Sequence, residues 1–248
     1  MFQSLDTAVF RFINGTLSNP LFGNAESHGV MPFLAWNGLF LPAVICLAVW
    51  MLWKGGTKGR LFVPLMLLVV AIGDGVICDT LKDTFQRPRP FMGLEDVNLL
   101  VGKGGSGSMP SSHSANWFSA FGLCFFFWRK VAIRIVLPIA CLIAFLRVYL
   151  GVHYPSDVLM GAVLGIGYSS GILLGLDAIW RWAGVKWFPL WWRRLPSFNP
   201  SRWRFEKRER EPVIDPQVVE AQWRRLGYVL ILAILAVRWL YIGAGRLS

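Results

Sequence analysis

LFVPLMLLVVAIGDGVICDTLKDTFQRPRP, residues 61–90, is the stretch on which the fold turns. Residues 61–81 are apolar over a length that crosses the hydrocarbon core of a bilayer, which takes roughly 20 residues. Only Asp74 and Asp79 interrupt the run, and it ends in Lys82, Arg87 and Arg89. A simple membrane anchor has no use for cations spaced along a proline-punctuated exit. The stretch therefore reads as a transmembrane helix that delivers positive charge to one face of the membrane.

The rest of the chain repeats the pattern. Over 248 residues it is 55% hydrophobic and 16% charged, against about a quarter charged in an ordinary soluble domain. Mean hydropathy is +0.50. This composition excludes a disordered chain, a collagen-like chain and a disulfide-dense secreted fold. Apolar runs at residues 30–53, 61–81, 114–128, 131–152, 157–182 and 226–242 predict an all-α, polytopic membrane helical bundle of about six transmembrane helices. The fifth run contains Gly161, Gly165, Gly167, Gly171 and Gly175, residues that let helices approach closely. The four cysteines lie inside apolar runs without metal-ligand spacing and read as buried free thiols.

Ahead of the first run, Leu5, Ala8, Val9, Phe12 and Ile13 follow the spacing of one helical face. Asp6, Arg11 and the lack of a basic leader argue against a cleavable signal. The pattern fits an interfacial amphipathic helix on the membrane surface or a helix capping the bundle, and both remain open. The sequon Asn14-Gly15-Thr16 carries little weight alone. Residues 1–248 read as a single integral membrane domain with a catalytic core at about 60–175, a basic segment at 181–225 and a last span at 226–242.

Seventeen of the 25 Lys and Arg fall in the loops after the first, third and fifth runs or at the adjoining run ends, eleven of them in 181–225. The positive-inside rule makes that side cytoplasmic. It also explains the net charge of +11 without nucleic acid as a partner; contact with anionic lipid headgroups is a milder role for 181–225. The opposite, outer side collects three polar clusters: Lys82 to Pro90, Pro110-Ser111-Ser112-His113, and Arg147 to Asp157. Lys82, Arg89 and Arg147 supply charge suited to a phosphate dianion. Ser111 and Ser112 add hydroxyls, and the helix start behind them adds unpaired N–H groups. His113 and His153 form an acid and nucleophile pair. Asp157, four residues after His153, is spaced to accept its Nδ1–H and leave the Nε2 lone pair for phosphorus. Arg87, Lys103 and Arg238 read as headgroup contacts or snorkelling side chains. Asp74 reads as a hydrogen-bonded core residue, and the 102–108 stretch as a flexible Gly-rich loop.

Lys82-x6-Arg89-Pro90, Pro110-Ser111-Ser112-His113 and Arg147-x5-His153-x3-Asp157 resemble the three signature motifs of the type 2 phosphatidic acid phosphatase superfamily, over about residues 60–175. That family includes membrane lipid phosphatases and, on a soluble version of the core, vanadium haloperoxidases. The resemblance implies that His153 becomes phosphorylated, that Asp157 orients it, and that His113 protonates the leaving oxygen and later activates water. It implies that Lys82, Arg89, Arg147, Ser111 and the backbone around Ser112 hold the phosphoryl oxygens, with no metal and no cofactor. Two positions depart from the family pattern: Ser112 stands where glycine is usual, and Leu146 where serine is usual. The expected function is hydrolysis of a lipid phosphate monoester or pyrophosphate at the non-cytoplasmic face, with the lipid and the bilayer as partners and a bacterial inner membrane as location. Phosphatidylglycerophosphate, phosphatidic acid, undecaprenyl pyrophosphate and lipid A phosphates all fit as substrates. The alternative is a non-catalytic lipid- or phosphate-binding membrane protein or transporter component.

Overall fold

The computed structural model describes residues 2–16, 37–101 and 105–203 and the isolated positions 217 and 221. Among these residues all regular structure is helical. The chain divides into two compact units, residues 1–174 and 175–248, with the boundary inside one helix.

In the first unit, α1 (Phe2–Arg11) ends in a wide turn at Phe12–Thr16. Next come α2 (Asn37–Lys54) and α3 (Gly56–Ile72), and a wide turn at Gly73–Cys78 leads into α4 (Asp79–Phe85). α5 (Ser112–Phe127), α6 (Leu137–Tyr149) and α7 (Pro155–Trp187) complete the bundle. Three helical segments are long and apolar enough to cross a membrane: Gly56–Gly93, Arg129–Tyr149 and Pro155–Trp187. They coincide with the second, fourth and fifth expected spans. The apolar part of α2, Pro42–Lys54, is shorter. α5 has 16 residues, about 24 Å at the usual helical rise. The 226–242 span, residues 30–36, His28, Lys103, Arg238, and residues 204–225 other than 217 and 221 lie outside the described residues.

Large apolar side chains point outward, among them Val44, Trp50, Leu67, Val76, Leu159 and Val163, while Ser111, Ser114, Ser119 and Asp157 are buried. Such a distribution suits a lipid surround, where outward apolar residues lose nothing and inward polar groups must pair. Pro42 and Pro64 sit inside helices, as membrane helices tolerate. The glycine expectation holds for two positions. A Cβ on Gly161 would meet the Ser111 carbonyl oxygen and Ser114, and one on Gly165 would crowd the backbone of Ala115 and Ser119. Gly167 and Gly171 face open space.

Asp74 lies in the wide turn between α3 and α4, where its Oδ2 accepts a hydrogen bond from Asn116 Nδ2 at 3.1 Å. The cysteine expectation needs correction. Cys78 and Cys124 are buried, but Cys46 and Cys141 are exposed on their helices, on the outward apolar surface. All four are free thiols.

α1 is docked on the bundle. Phe10 is fully buried against Val148, Tyr154 and Val158, its ring 5.6 Å from that of Tyr154. Asn14 is buried too, donating to the carbonyl oxygens of Asn98 at 2.9 Å and Tyr149 at 2.8 Å. That burial removes the sequon from consideration. Leu5, Val9 and Phe12 remain exposed on the other face of the same helix.

In the second unit, the basic segment begins at the end of α7, with Arg181 and Lys186, and continues through α8 (Pro189–Arg194). Buried Asp177 accepts from Ser197 Oγ at 2.5 Å and from the Phe198 N–H at 2.8 Å. Trp180 stacks on Phe198 with centroids 5.3 Å apart, and its Nε1–H donates to the Leu195 carbonyl.

Candidate active site

The first motif leaves α4 through a left-handed residue, Gln86 (φ 45°), whose N–H caps the helix on the Lys82 carbonyl. The turn sends Arg87-Pro88-Arg89-Pro90 back across the helix ends. Lys82, nearly buried, donates from Nζ to Ser112 Oγ at 2.6 Å and to Asp79 at 3.1 Å. Arg89 donates from Nε to the Ser106 carbonyl at 2.9 Å and from Nη1 to the Val152 carbonyl at 3.3 Å.

The second motif opens α5. Buried Ser111 is its N-cap, and the Ser111 N–H donates to the Asp157 backbone carbonyl at 3.0 Å. That bond ties the second motif to the third. Ser112, at the position where the family pattern has glycine, turns its hydroxyl onto Lys82 rather than into empty space. His113 follows one residue ahead of the expected third span.

The third motif hangs from the end of α6. The carbonyl of Arg147 accepts the N–H groups of both Val152 and His153, at 3.3 Å each, and Gly151 supplies the left-handed turn between them (φ 79°). A side chain on Gly151 would also strike the Asn98 carbonyl, so the turn requires glycine. Leu146, the other departure, is fully buried in an apolar cluster with Ile143, Tyr149, Leu150 and Val152. His153 is buried, with Nε2 3.4 Å from Arg89 Nη1.

The spacing-based expectation for Asp157 is revised by this geometry. Its Oδ2 lies 3.7 Å from His153 Nδ1, beyond hydrogen-bond reach. Nδ1 faces instead the carbonyl oxygen of Ser108 at 2.8 Å, a contact that fixes the Nδ1–H tautomer. Asp157 holds the neighbours: its Oδ2 accepts from Ser108 Oγ at 2.5 Å and from the Tyr154 N–H at 2.8 Å. Helix α7 starts only at Pro155, so His153 and Asp157 straddle a loop–helix junction and do not stack as on one continuous helix.

Four participants escaped the sequence reading. Arg87 does not snorkel; its Nη1 pairs with Asp157 Oδ1 and its Nη2 with Asp6 Oδ2, both at 2.6 Å, over the face of Tyr154. Asp6 comes from α1. Ser106 and Ser108 belong to the stretch read as a flexible loop, and both engage the site. The available signal was that Gly105 to Ser108 run directly into the second motif.

Burial holds the His153 imidazole below its usual pKa, and Arg89 acts in the same direction, against Asp157 and the Ser108 carbonyl. Burial first, then Arg147 and His153, bring His113 down to about 4. Both rings therefore favour the neutral form. A neutral imidazole beside buried cations is an arrangement that attracts a phosphoryl group and presents a lone pair to it.

A model of the PAP2 superfamily matches residues 63–181, the segment that carries all three motifs. The bacitracin transport permease protein BcrC of Bacillus licheniformis is 31% identical over 172 residues, covering 66% of this chain and 77% of that protein. The chain belongs to the PAP2 superfamily. Another relative of this PAP2 protein, the undecaprenyl-diphosphatase BcrC of Bacillus subtilis, is 28% identical over 158 residues, or 64% and 77% of the two chains. Among solved structures, that of Aquifex aeolicus LpxE superposes with a TM-score of 0.51 at 26% identity, over 68% of this chain and 95% of that one. This PAP2 chain is accordingly a phosphatase with helices long and apolar enough to cross a membrane.

Proposed function

We propose that the protein hydrolyses a lipid phosphate monoester or pyrophosphate through a phosphohistidine on His153. The observation that carries this reading is His153 itself: buried, its Nδ1 against a carbonyl oxygen and its Nε2 3.4 Å from Arg89. In the first step the Nε2 lone pair forms a bond to phosphorus while the bond from phosphorus to the leaving lipid oxygen breaks. His113 gives that oxygen its proton. In the second step water attacks phosphorus, His113 takes a proton from it, and the P–N bond breaks to release phosphate. Lys82, Arg89, Arg147, Ser111 and the amides near Ser112 spread the charge on the equatorial oxygens. Asp157 fixes Ser108 and the backbone at Tyr154, and through them the ring. No step calls for a metal or cofactor.

The charge count across the loops supports an outward-facing site in a bacterial inner membrane. A mouth at the interface lets the headgroup enter sideways while the lipid tail stays in the bilayer. The name of the Bacillus subtilis relative favours a polyprenyl pyrophosphate, undecaprenyl pyrophosphate, over the other classes. The test is phosphate release by purified protein from undecaprenyl pyrophosphate, phosphatidic acid, phosphatidylglycerophosphate and lipid A, each with chelator present. Release from at least one, abolished in His153→Ala, is the expected result. Full turnover by His153→Ala removes the mechanism, and dependence on added metal removes its metal-free form.

A further inference from the structure

We propose that Asp6, on the N-terminal helix, is a positioning residue for His153, acting through Arg87 and Asp157. The proposal rests on the reading of His153 as nucleophile. A chain of short contacts links the two residues. Asp6 Oδ2 accepts from Arg87 Nη2 at 2.6 Å; Arg87 Nη1 donates to Asp157 Oδ1 at 2.6 Å; Asp157 Oδ2 accepts from Ser108 Oγ at 2.5 Å; and the Ser108 carbonyl stands 2.8 Å from His153 Nδ1. Asp6 also accepts the Ser156 N–H at 2.9 Å and Ser156 Oγ at 2.6 Å. It thereby caps, from another helix, the first turn of α7, where donors otherwise lack partners. That turn carries Asp157.

The charge balance gives Asp6 a part beyond packing. One guanidinium is shared by two carboxylates, so the Asp6–Arg87–Asp157 cluster keeps one net negative charge on the Nδ1 side of His153. On the other side of the ring stands Arg89 after α4, while His113 on α5 is electrostatically coupled to the ring and Arg147 on α6 acts on His113; these groups are cationic or neutral. When Nε2 bonds to phosphorus the imidazole becomes cationic, and the cluster is what offsets that charge. Without Asp6, Arg87 neutralises Asp157 alone and the offset is lost. The placement of Asp6 is built in: its side chain is 9% exposed, and Phe10 and Asn14 lock α1 in register.

The test uses the full chain in detergent with farnesyl pyrophosphate as soluble probe, comparing wild type, Asp6→Asn, Asp6→Ser, Asp6→Glu and His153→Ala. Asp6→Asn is expected to lower kcat about tenfold with KM changed less than about twofold. It should also move the acid limb of the rate profile to lower pH, because losing a nearby negative charge makes the imidazolium easier to deprotonate. Asp6→Glu recovers part of kcat. KM and the limb position do not depend on how much protein is folded, so a folding defect alone leaves them unchanged. Asp6→Ser keeps an acceptor for Ser156 without the charge and is read in the same way. A wild-type acid limb and kcat in both uncharged variants overturns the proposal while His153→Ala stays inactive. Turnover by His153→Ala instead removes the nucleophile reading, and the proposal with it.

Discussion

His153 Nδ1 lies 2.8 Å from the carbonyl oxygen of Ser108, and the hydroxyl of that same serine donates to Asp157. The backbone, not the carboxylate, sets the tautomer of the ring. In a triad where the carboxylate touches the histidine, replacing it by its amide costs about 10⁴ in kcat through the wrong tautomer. Here Asp157→Asn leaves the carbonyl in place, so a loss of about 10²-fold is expected. Steady-state rates on purified protein check this, and an Asp157→Asn enzyme as inactive as His153→Ala contradicts it.

The two histidines predict an asymmetric pH response. His153 must be neutral to attack, and burial lowers its pKa, so the acid limb falls below the usual histidine range near 6.5. His113 must carry a proton to act as acid, yet burial and Arg147 hold it at about 4. A bound phosphate neutralises the nearby cations and raises that value. Because kcat/KM reports the free enzyme and kcat the complex, the alkaline limb of kcat/KM is expected at lower pH than that of kcat. Coincident alkaline limbs in the two profiles exclude this coupling.

Ser112 departs from the family pattern, and its hydroxyl has an identified partner in Lys82 at 2.6 Å. Ser112→Ala removes that acceptor while keeping the backbone. Among the described residues Lys82 is then held by exposed Asp79 alone, and the expectation is a KM several-fold higher with a smaller change in kcat. An unchanged KM identifies the hydroxyl as mere filling.

Gly165 marks a close approach of α7 to α5. Gly165→Ala forces the helix carrying Asp157 away from the helix carrying His113, at a cost of about 1–3 kcal/mol. Gly171→Ala, whose Cβ meets nothing within 4 Å, serves as the matched control. Thermal unfolding in detergent should separate the two variants, and equal midpoints refute close packing at Gly165.

What could be read in advance follows from how costly charge is inside an apolar chain. Lys82, Arg89, His113, Arg147, His153 and Asp157 stood out because a membrane helix end offers few structural reasons for such residues, and helix direction alone gathered them. Arg87 was misread because its partner Asp6 is 81 residues away, and no local spacing announces such a pair. Ser106 and Ser108 contribute backbone carbonyls, which leave no mark on residue type, and hydroxyls whose partners Arg89 and Asp157 lie 17 and 49 residues away. The His153–Asp157 spacing allows a contact through a helical turn or a bent loop, but it gives no sign that the Ser108 carbonyl stands at Nδ1 and leaves Asp157 Oδ2 3.7 Å away. The amphipathic period of α1 was legible and left docking on the bundle open as one of two readings; Phe10, which seats the helix and decides between them, stood outside the apolar stripe.

The partners of Arg89 are two carbonyls, a serine hydroxyl and an imidazole, all neutral. Among the described residues no carboxylate pairs with it directly, so the pull on an incoming anion is as strong after the reaction as before it. The freed phosphate, smaller and more mobile than the lipid but carrying the same recognised group, competes for the vacancy it has just left. Such a catalyst is expected to be restrained by its own product, with turnover at saturation paced by the departure of phosphate.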